Sequence, residues 1–522
     1  MIKKLVLSLL LAGTLVGCSS GDANVVGNST TSNALTTLRL GCGNFSDSLD
    51  PSASPNSAWG TARYGIAEGL FTFDDSMNAT PTLCDTYTVD ETHTIWEFHI
   101  RDGVSFSNGK PLTASAVVDS FEYLYHQEAT GAGTNAPSQF LTYDSISAND
   151  DTNVVTMVTS KPYADLTKVL SHVNYIIVDV ESDLFSSPVG TGPYKVDTND
   201  VGVTISLSRN ENYWNGDVPF DTLQILFMED STTKSLALQA GDIDMVDTIT
   251  TAYDLDFLRA SDDFVLAETL STRTAFSYVN YDGVLANDTL REAILLAVDD
   301  DTICDITVGG VYTSGYSVLP PTIDYGYDTL TDKTPYNLEK AKQLLDDAGI
   351  VDTNGDGIRE LNGEEIVLDY VSYTIKSLDA VSEAVCVNLD ELGIGTNLRI
   401  LDPDTHWNLI ANSEFDLAIC SWITVPAGDP IGFLENWYSN THINYGSYKN
   451  STFDALYEEL LYTIDTDRQK SIIEEIQQIL IDDCAVMVHG YYTSNLSSSS
   501  KIQGVVMPIS ETYWITTDIK PN

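Results

Sequence analysis

Three oxygen-bearing side chains, Asp352, Asn354 and Asp356, alternate along one short stretch of the sequence. This spacing matches the first, third and fifth ligand positions of a calcium-binding loop, and a glycine follows at the sixth. The twelfth position of such a loop carries a bidentate glutamate, whereas this sequence has Gly363 there and Glu364 one residue later. We therefore interpret the stretch as the tip of a β-hairpin, with a calcium site as the less favoured alternative.

Four further residues have side chains suited to holding a small ligand. His442 offers an imidazole, a good donor for nickel and similar ions, although a lone histidine is more often a surface or capping residue. Trp59 and Trp422 could each wall a ligand cavity or fill the hydrophobic core. Tyr445 is the weaker candidate, because we expect its loop to face solvent. Residue type alone leaves these alternatives open.

Motifs of catalysis are absent from the sequence. It lacks the His-Glu-x-x-His motif of zinc proteases, the Gly-x-Ser-x-Gly motif of hydrolases and the Gly-x-x-x-x-Gly-Lys-Ser/Thr loop that binds nucleotide phosphates. Histidines and carboxylates could still converge in three dimensions to form an active site. The sequence nevertheless favours a binding protein that needs no cofactor over an enzyme.

The N-terminus has the features of an export signal. Lys3 and Lys4 precede an apolar run at residues 5–16, which is too short to span a bilayer, since a spanning helix needs about 20 residues. The run ends in Leu-Val-Gly before Cys18, which resembles the lipobox of bacterial lipoproteins. We predict a signal peptide at 1–17, lipidation (palmitate) of Cys18 and a flexible tether at 18–37. An ordinary cleaved signal with a chance cysteine is the alternative.

Composition indicates a large, acidic, exported body. The chain has 522 residues, is 43% hydrophobic and carries a formal net charge of −51. Such a surface repels nucleic acid and anionic lipid, so both are excluded as partners. The six cysteines other than Cys18 have no CxxC spacing, which disfavours a structural zinc site. They could form three disulfides or remain as buried thiols. They are Cys42, Cys84, Cys304, Cys386, Cys420 and Cys484.

Strand and helix patterns alternate along the chain. Residues 203–208 alternate between apolar and polar side chains and predict a half-buried strand, as do Trp96, Phe98 and Ile100 with their polar neighbours. Helices are predicted where apolar residues recur at helical spacing: 290–298, 338–348 and 472–480. Gly349 is placed to end the second of these helices. Interleaved strands and helices over this length predict α/β lobes.

Short motifs occur in a fixed order along the mature chain. The longest is FHIRDGVSFSNGKPL at 98–112. The others are LDP at 49–51, EGLF at 68–71, PTL at 81–83, GTGPY at 190–194, RNENYW at 209–214, GDID at 241–244, REA at 291–293 and GDP at 428–430. Their order and spacing from residue 38 to the C-terminus resemble the peptide/nickel-binding family of ABC-transporter solute-binding proteins.

The resemblance implies a fold and a role. The expected fold is α/β, of the type II periplasmic-binding-protein kind, with two hinged lobes that enclose the ligand and an extra subdomain on lobe I. The expected boundaries are 38–75, 190–280 and 490–522 for lobe I, 76–189 for the extra subdomain and 281–489 for lobe II. The resemblance further implies a monomer on the extracytoplasmic face of the membrane. Its partners are the permease and ATPase subunits of an ABC importer, and the ATPase is a separate chain.

The resemblance also bears on the ligand. Peptide binders of this family place an acidic residue soon after the pocket tryptophan, whereas this chain has none between Trp422 and Gly428. His442 stands at the spacing at which the nickel-binding branch has a metal ligand. Asn174, with His172 nearby, stands where that branch has an arginine for the chelator's carboxylates. A nickel or similar metal–chelator complex is therefore the expected ligand, with a short peptide as the alternative.

Overall fold

The computed structural model describes residues 36–43 and 47–522, and residues 36–522 form one compact unit. The predicted signal peptide, Cys18 and nearly all of the predicted tether lie outside the described residues. Within the described part of the chain, no helix combines the length and the apolar character needed to cross a bilayer.

Strands and helices alternate along the described chain. The strands are β1 (Thr37–Cys42), β2 (Phe71–Phe73), β3 (Ala79–Pro81), β4 (Cys84–Val89), β5 (Ile95–Ile100), β6 (Tyr143–Asn149), β7 (Val154–Thr159), β8 (Tyr194–Asp200), β9 (Thr204–Arg209), β10 (Thr222–Phe227), β11 (Met245–Asp247), β12 (Phe264–Val279), β13 (Tyr312–Thr313), β14 (Glu360–Leu361), β15 (Glu364–Glu365), β16 (Val367–Tyr373), β17 (Gly395–Leu401), β18 (Leu417–Ile423), β19 (Val486–Ser499), β20 (Ile502–Gln503) and β21 (Lys520–Pro521). The α-helices are α1 (Pro55–Arg63), α2 (Ala114–Thr130), α3 (Leu166–Val169), α4 (Ser231–Ala240), α5 (Ala252–Ala260), α6 (Asp288–Ala297), α7 (Asp300–Thr302), α8 (Leu338–Asp347), α9 (Leu378–Leu392), α10 (Pro403–Ala411), α11 (Ile431–Leu434), α12 (Ser451–Leu460) and α13 (Thr466–Asp482).

One large mixed sheet organises the molecule. Its order is β17-β16-β18-β12-β19-β11-β1-β10-β9-β8, and β13 also pairs with β19. The two central strands, β12 and β19, are antiparallel and have 16 and 14 residues. The C-terminal half of β12 pairs with β18, and the C-terminal half of β19 pairs with β11. These two long strands therefore connect the two ends of the sheet, in the region where the hinge is predicted.

A second, four-stranded sheet lies within the predicted extra subdomain. Its order is β4-β5-β7-β6, and α2 packs against β6 and β7. Trp96, Phe98 and Ile100 are buried on one face of β5, as their alternation predicts. Phe121 of α2 joins them in one apolar cluster.

The predicted helices are confirmed. The three apolar stretches form α6, α8 and α13, and each buries its apolar face. Gly349 follows α8 with φ of 74°, and its N–H donates to the Asp346 carbonyl at 3.0 Å. A left-handed residue at this position is the usual way to end a helix, and glycine adopts it without a steric penalty.

Several family motifs meet at one buried carboxylate. Glu68 accepts hydrogen bonds from Thr191 Oγ1 at 2.7 Å, Tyr213 OH at 3.0 Å and Trp214 Nε1 at 2.8 Å. Burial raises the pKa of Glu68, and the three hydrogen bonds oppose that rise. The EGLF, GTGPY and RNENYW motifs therefore supply a buried carboxylate and its three hydrogen-bond donors. Burying this carboxylate without such partners would destabilise the fold.

The Gly190–Pro193 segment is explained by close packing. A Cβ atom on Gly190 would lie 2.3 Å from the Ile66 carbonyl oxygen, and one on Gly192 would lie 2.3 Å from that of Gly65. Neither glycine is among those with positive φ. Glycine is needed here because two backbone segments touch.

The predicted lobe boundaries remain predictions. The boundary at 489/490 falls inside β19, next to a break in its pairing register with β12. One apolar cluster also contains residues assigned to both lobes, such as Leu255 and Leu389. The sheet and the core are therefore continuous across the predicted hinge.

Of the two alternatives for the cysteines, disulfides or buried thiols, the structure favours buried thiols. Cys84, Cys304, Cys386, Cys420 and Cys484 are free thiols, all of them buried except the half-buried Cys386. Cys42 is buried as well and its sulfur lies 3.3 Å from Tyr64 OH.

Candidate functional site

Four charged residues meet beside the two central strands. Arg63 ends α1, Arg273 lies in β12, Lys376 lies between β16 and α9, and Glu511 lies in the C-terminal segment. We call these four residues the hinge ion cluster. Distant parts of the chain supply them, so the site exists only in the folded protein.

Glu511 is the centre of the hinge ion cluster. Its carboxylate accepts from Arg273 Nε at 3.3 Å and Nη2 at 3.2 Å, and from Ser494 Oγ at 2.8 Å. Arg63 Nη2 lies 3.8 Å from the same carboxylate. Burial alone would raise the pKa of Glu511, but Arg273, Lys376 and Arg63 hold it well below its ordinary value. Glu511 is therefore an anion already engaged by two arginines and a serine.

Arg63 is held between two indole rings. Its guanidinium carbon lies 4.6 Å from the ring centroid of Trp59 and 4.2 Å from that of Trp514. Its Nε donates to the Glu511 carbonyl at 2.9 Å. Trp514 Nε1, by contrast, is a buried donor that has no hydrogen-bond partner among the described residues. A buried donor of this kind costs about 1–3 kcal/mol unless a ligand or water satisfies it.

Lys376 is the uncompensated cation of the cluster. Its Nζ lies 4.3 Å from the ring centroid of Tyr492, and within the described residues it forms no ion pair. Burial lowers the pKa of Lys376 to about 7; Glu511 opposes this shift, whereas Arg273 and Arg63 add to it. Lys376 and Arg273 are half-buried, whereas Arg63 and Glu511 are buried.

The cluster has a surplus of positive charge and a strained backbone. Three cations face one carboxylate, and the next acid, Asp247, is already paired with Lys234 at 2.8 Å. Lys376 and Glu511 both have positive φ, 53° and 59°. Such backbone costs about 1–3 kcal/mol per residue and is concentrated at functional sites. Charge and strain together point to an anion-binding site.

A small cavity adjoins the cluster. Trp59, His172, Ile423 and Thr512 are among the residues that line it, and its volume is only about 10 Å³. Burial lowers the pKa of His172 to about 3, so the ring is neutral. Its Nδ1 accepts from the Asn174 N–H at 3.2 Å, which leaves the proton on Nε2. The walls are nearly in contact, so a ligand enters only after they separate.

A larger cavity lies between the predicted extra subdomain and predicted lobe II. Its volume is about 440 Å³. Lys161 and Lys168 line one side, and Asp429 and Glu435 line the other. We call it the outer cavity. Burial lowers the pKa of Lys161 and raises that of Asp429, and each group partly offsets the other's shift. No lysine–carboxylate ion pair joins the two sides among the described residues.

The structure brings some sequence-predicted residues together. Trp59 lines the small cavity and lies 6.1 Å from the His172 ring, centroid to centroid. Asn174 is buried directly behind His172. Trp422 precedes the cavity residue Ile423 and packs 5.8 Å from the Trp407 ring. Whether these residues touch a ligand remains a prediction.

His442 and Tyr445 lie elsewhere. His442 is exposed and is not among the residues that line the small or the outer cavity. Tyr445 is half-buried and packs edge-on against Tyr278, with ring centroids 5.7 Å apart. Coordination of a cleft ligand by His442 would therefore require its loop to rearrange.

The candidate calcium loop forms a tight turn. Asp352 accepts from the Gly355 and Gly357 N–H groups at 2.6 and 2.9 Å. Asn354 and Asp356 accept from backbone N–H groups in the same way, and β14 pairs with β15 just beyond the turn. Backbone donors thus occupy these oxygens. Across residues 36–43 and 47–522, no three or more His, Cys, Asp or Glu side chains form a group that could hold a metal ion.

Sequence reasoning missed the hinge ion cluster. One usable signal was Arg273, a charged residue inside a strand whose following residues are buried. A second was Arg63, one helical turn after Trp59 and on the same face of α1. No sequence pattern indicates Lys376 or Glu511, because the contacts that define them are long-range.

Comparisons with known proteins agree with this architecture. The sequence model of the bacterial extracellular solute-binding proteins, family 5 (middle region), matches residues 78–445. The oligopeptide-binding protein AppA of Bacillus subtilis is 26% identical over 484 residues, which is 86% of each chain. The nickel-binding protein NikA of Staphylococcus aureus is 24% identical over 445 residues, covering 84% of this chain and 86% of NikA. A crystal structure of that NikA with Ni(L-His)2 matches with a TM-score of 0.78 at 22% identity, covering 93% of this chain and all of the other. The fold is therefore that of the periplasmic binding proteins.

Proposed function

Because the chain belongs to the family 5 bacterial extracellular solute-binding proteins, we propose that it captures a metal ion carried by a carboxylate-bearing chelator. Members of this family are the ligand-binding components of ABC importers and not enzymes. Nickel is the favoured ion, since NikA of Staphylococcus aureus is a nickel-binding relative. The proposed route is enclosure between two lobes followed by delivery to the importer's permease.

The observation that carries the proposal is the positive surplus at the hinge. A ligand carboxylate beside Lys376 would add an anion next to an ammonium group that forms no ion pair within the described residues. Trp514 Nε1 offers a second donor, on the ring that packs against Arg63 of the same cluster. Hydrogen bonds to charged groups contribute about 1.5–3 kcal/mol each. An anionic group is thus the chemistry that completes this site.

A metal chelate fits better than a peptide because the site offers no free carboxylate for an amine. Glu511 is engaged by Arg63 and Arg273, and no acid stands between Trp422 and Gly428. In a chelate the amino groups bind the metal, and the carboxylate oxygens that do not coordinate it remain free to face the protein. The chelator would supply most of the metal's donors, consistent with the absence of a metal-holding side-chain group in the described residues.

Calorimetry with nickel plus histidine, against a mixture of short peptides, tests the proposal. We expect tight binding of the nickel complex and an affinity loss of about tenfold or more in Lys376→Met, which removes a charge-assisted contact. Lys449→Met, an exposed lysine, is the control. Tight metal-free binding of peptides would favour the alternative receptor for short peptides.

The lobe boundaries expected from the sequence form part of the proposal. When the two predicted lobes separate, the small cavity opens to solvent. When a ligand is enclosed, the two lobes come together again. Small-angle scattering should therefore report a smaller radius of gyration with the nickel complex than without it. An unchanged radius at saturation would contradict closure about β12 and β19.

We further propose His442 as an added metal ligand that reaches the chelate by movement of its loop. His442→Ala should then weaken nickel–histidine binding, because the variant lacks the imidazole nitrogen that would coordinate the ion. Equal affinities of the two proteins for nickel–histidine would remove His442 from the site.

Cys18 is the proposed site of membrane anchoring. Cys18→Ala should release the protein from the membrane fraction without altering its unfolding transition, because the tether separates the lipid from the folded body. Retention of the variant in membranes after a high-salt wash would contradict lipidation.

A further inference from the structure

A separate cavity of about 310 Å³ lies within predicted lobe II. None of the hinge ion cluster or outer-cavity residues lines it. Its polar lining includes three tyrosines and three aspartates: Tyr316, Tyr327, Tyr336, Asp300, Asp301 and Asp332. We call it the tyrosine cavity. Its volume is at the lower end of the range of ligand sites, which begins near 300 Å³.

Among the described residues, His489 pairs with one acid of the tyrosine cavity, at 3.0 Å from Asp300, whereas Asp301 and Asp332 have no basic partner. No lysine, arginine or histidine is among its lining residues. Asp301 accepts from Ser314 Oγ, and Asp332 accepts from the Thr334 N–H at 2.9 Å, so neutral donors serve both. Burial raises the pKa of Asp332, which is half-buried. Carboxylates in this setting are stabilised by a bound cation.

The aromatic wall supports the same conclusion independently of the acids. The rings of Tyr316 and Tyr327 lie 4.8 Å apart, and the Tyr316 hydroxyl donates to the Tyr327 carbonyl at 3.1 Å. Tyr336 completes the rim and is 49% exposed, a large aromatic area left open to solvent. The faces of tyrosine rings attract ammonium groups. Aliphatic residues form the floor: Leu295, Val298, Val318, Leu480, Ile481 and Val488.

The spacing of the acids distinguishes an organic cation from a metal ion. Within the described residues, the three aspartates do not form a group that could hold a metal. A bare ion would also gain nothing from an aliphatic floor or from tyrosine faces. We propose that the tyrosine cavity binds a small organic cation, a mono- or diamine or a quaternary ammonium, at a site distinct from the cleft. This inference does not depend on the identity of the cleft ligand.

Calorimetry on the purified chain tests this site with three probes at physiological salt. Butane-1,4-diamine and tetramethylammonium carry the proposed charge, and butane-1,4-diol is the uncharged analogue. We expect one saturable site for a charged probe and none for the diol. Asp332→Asn and Tyr336→Ala should each weaken binding about tenfold, as loss of a desolvated charge or cation–π contact does. Asp300 is left intact because it bonds to buried His489 at 3.0 Å.

Matched controls exclude a general attraction of cations to an acidic protein. Asp404→Asn and Tyr462→Ala change exposed residues that do not line the cavity, so binding should be unchanged. Lys376→Met should also leave it unchanged, even if the proposed cleft function fails. The proposal is wrong if no charged probe saturates one site, if the diol binds equally, or if Asp332→Asn and Tyr336→Ala bind as the wild type does.

Discussion

The hinge ion cluster and the outer cavity both bring opposite charges together, but they do so in different ways. In the cluster, Arg273 contacts Glu511 directly, at 3.2–3.3 Å. In the outer cavity, Lys161 and Asp429 face each other without an ion pair, across about 440 Å³ of open volume.

The difference follows from the elements that carry the charges. Arg273 lies in a central strand of the large sheet, so its position is fixed whether or not the molecule opens. Lys161 and Asp429 come from the predicted extra subdomain and predicted lobe II, and the proposed closure would bring these two parts together. Arg63, Arg273 and Glu511 lie in predicted lobe I, whereas Lys376 lies in predicted lobe II. On the proposed mechanism the arginine–glutamate contacts are therefore preformed, and the outer cavity and the approach of Lys376 depend on closure.

The largest expected effect is the loss of the cluster's carboxylate. Glu511→Gln leaves Arg63 and Arg273 buried without their anion, and removing one partner of a buried pair costs about 3–5 kcal/mol. Urea unfolding followed by circular dichroism measures this loss. Glu364→Gln, in exposed β15, should change little. Equal midpoints for the two variants would show that the cluster does not depend on Glu511.

The next effect concerns closure at the outer cavity. Gly428 has φ of 81°, and a Cβ atom there would lie 2.6 Å from Lys168 Cβ. Gly428→Ala should therefore strain the backbone and also oppose closure, lowering ligand affinity about tenfold or more, since overpacking costs about 1–3 kcal/mol. Gly355 has a similar φ, 85°, but open space surrounds it. Gly355→Ala is therefore the control that measures backbone strain without a steric clash. Calorimetry of both variants should reveal lower affinity only for Gly428→Ala.

A smaller effect is the pH dependence of binding at Lys376. Its pKa of about 7 in the unliganded protein means that the ammonium is lost as pH rises through neutrality, and anion affinity should fall with it. Stability has the opposite trend. The folded-state pKa lies below the unfolded value, so the unfolding free energy should increase as pH rises from about 7 to about 10.4. Lys376→Arg stays charged and should keep its affinity above pH 7, which calorimetry across pH 6–9 measures. A parallel decline in both proteins would assign the pH dependence to the ligand.

The smallest effect is the coupling of charges across the outer cavity. Because Lys161 and Asp429 interact at a distance, a double-mutant cycle with Lys161→Met and Asp429→Asn should give a coupling of about 0.5–1 kcal/mol in ligand affinity, reduced by salt. A double-mutant cycle with Lys161→Met and a substitution of exposed Asp404 serves as the control and should give no coupling energy. Strong, salt-independent coupling would mean that the two charges pair directly in the liganded form.

The sequence by itself determined the local elements and the family. Strict alternation identified β5, helical spacing identified α13, and the ordered motifs identified a solute-binding protein. Each of these signals depends on neighbours in the chain or on short motifs, which side-chain periodicity and turn chemistry encode directly. Trp59 was selected because its segment resembles one that lines the family's cleft, and it lies next to the cluster.

Only the tertiary structure decided where the charges of the site meet. Arg63 and Glu511 are 448 residues apart, and neither carries a local pattern that indicates the other. Their contact depends on the C-terminal segment packing against α1, and Lys376 joins them from beyond β16. In a chain with 25 basic and 76 acidic residues, a local excess of cations cannot be read from composition. It arises because folding buries three particular basic side chains around one carboxylate, in a setting where charge without a partner is costly.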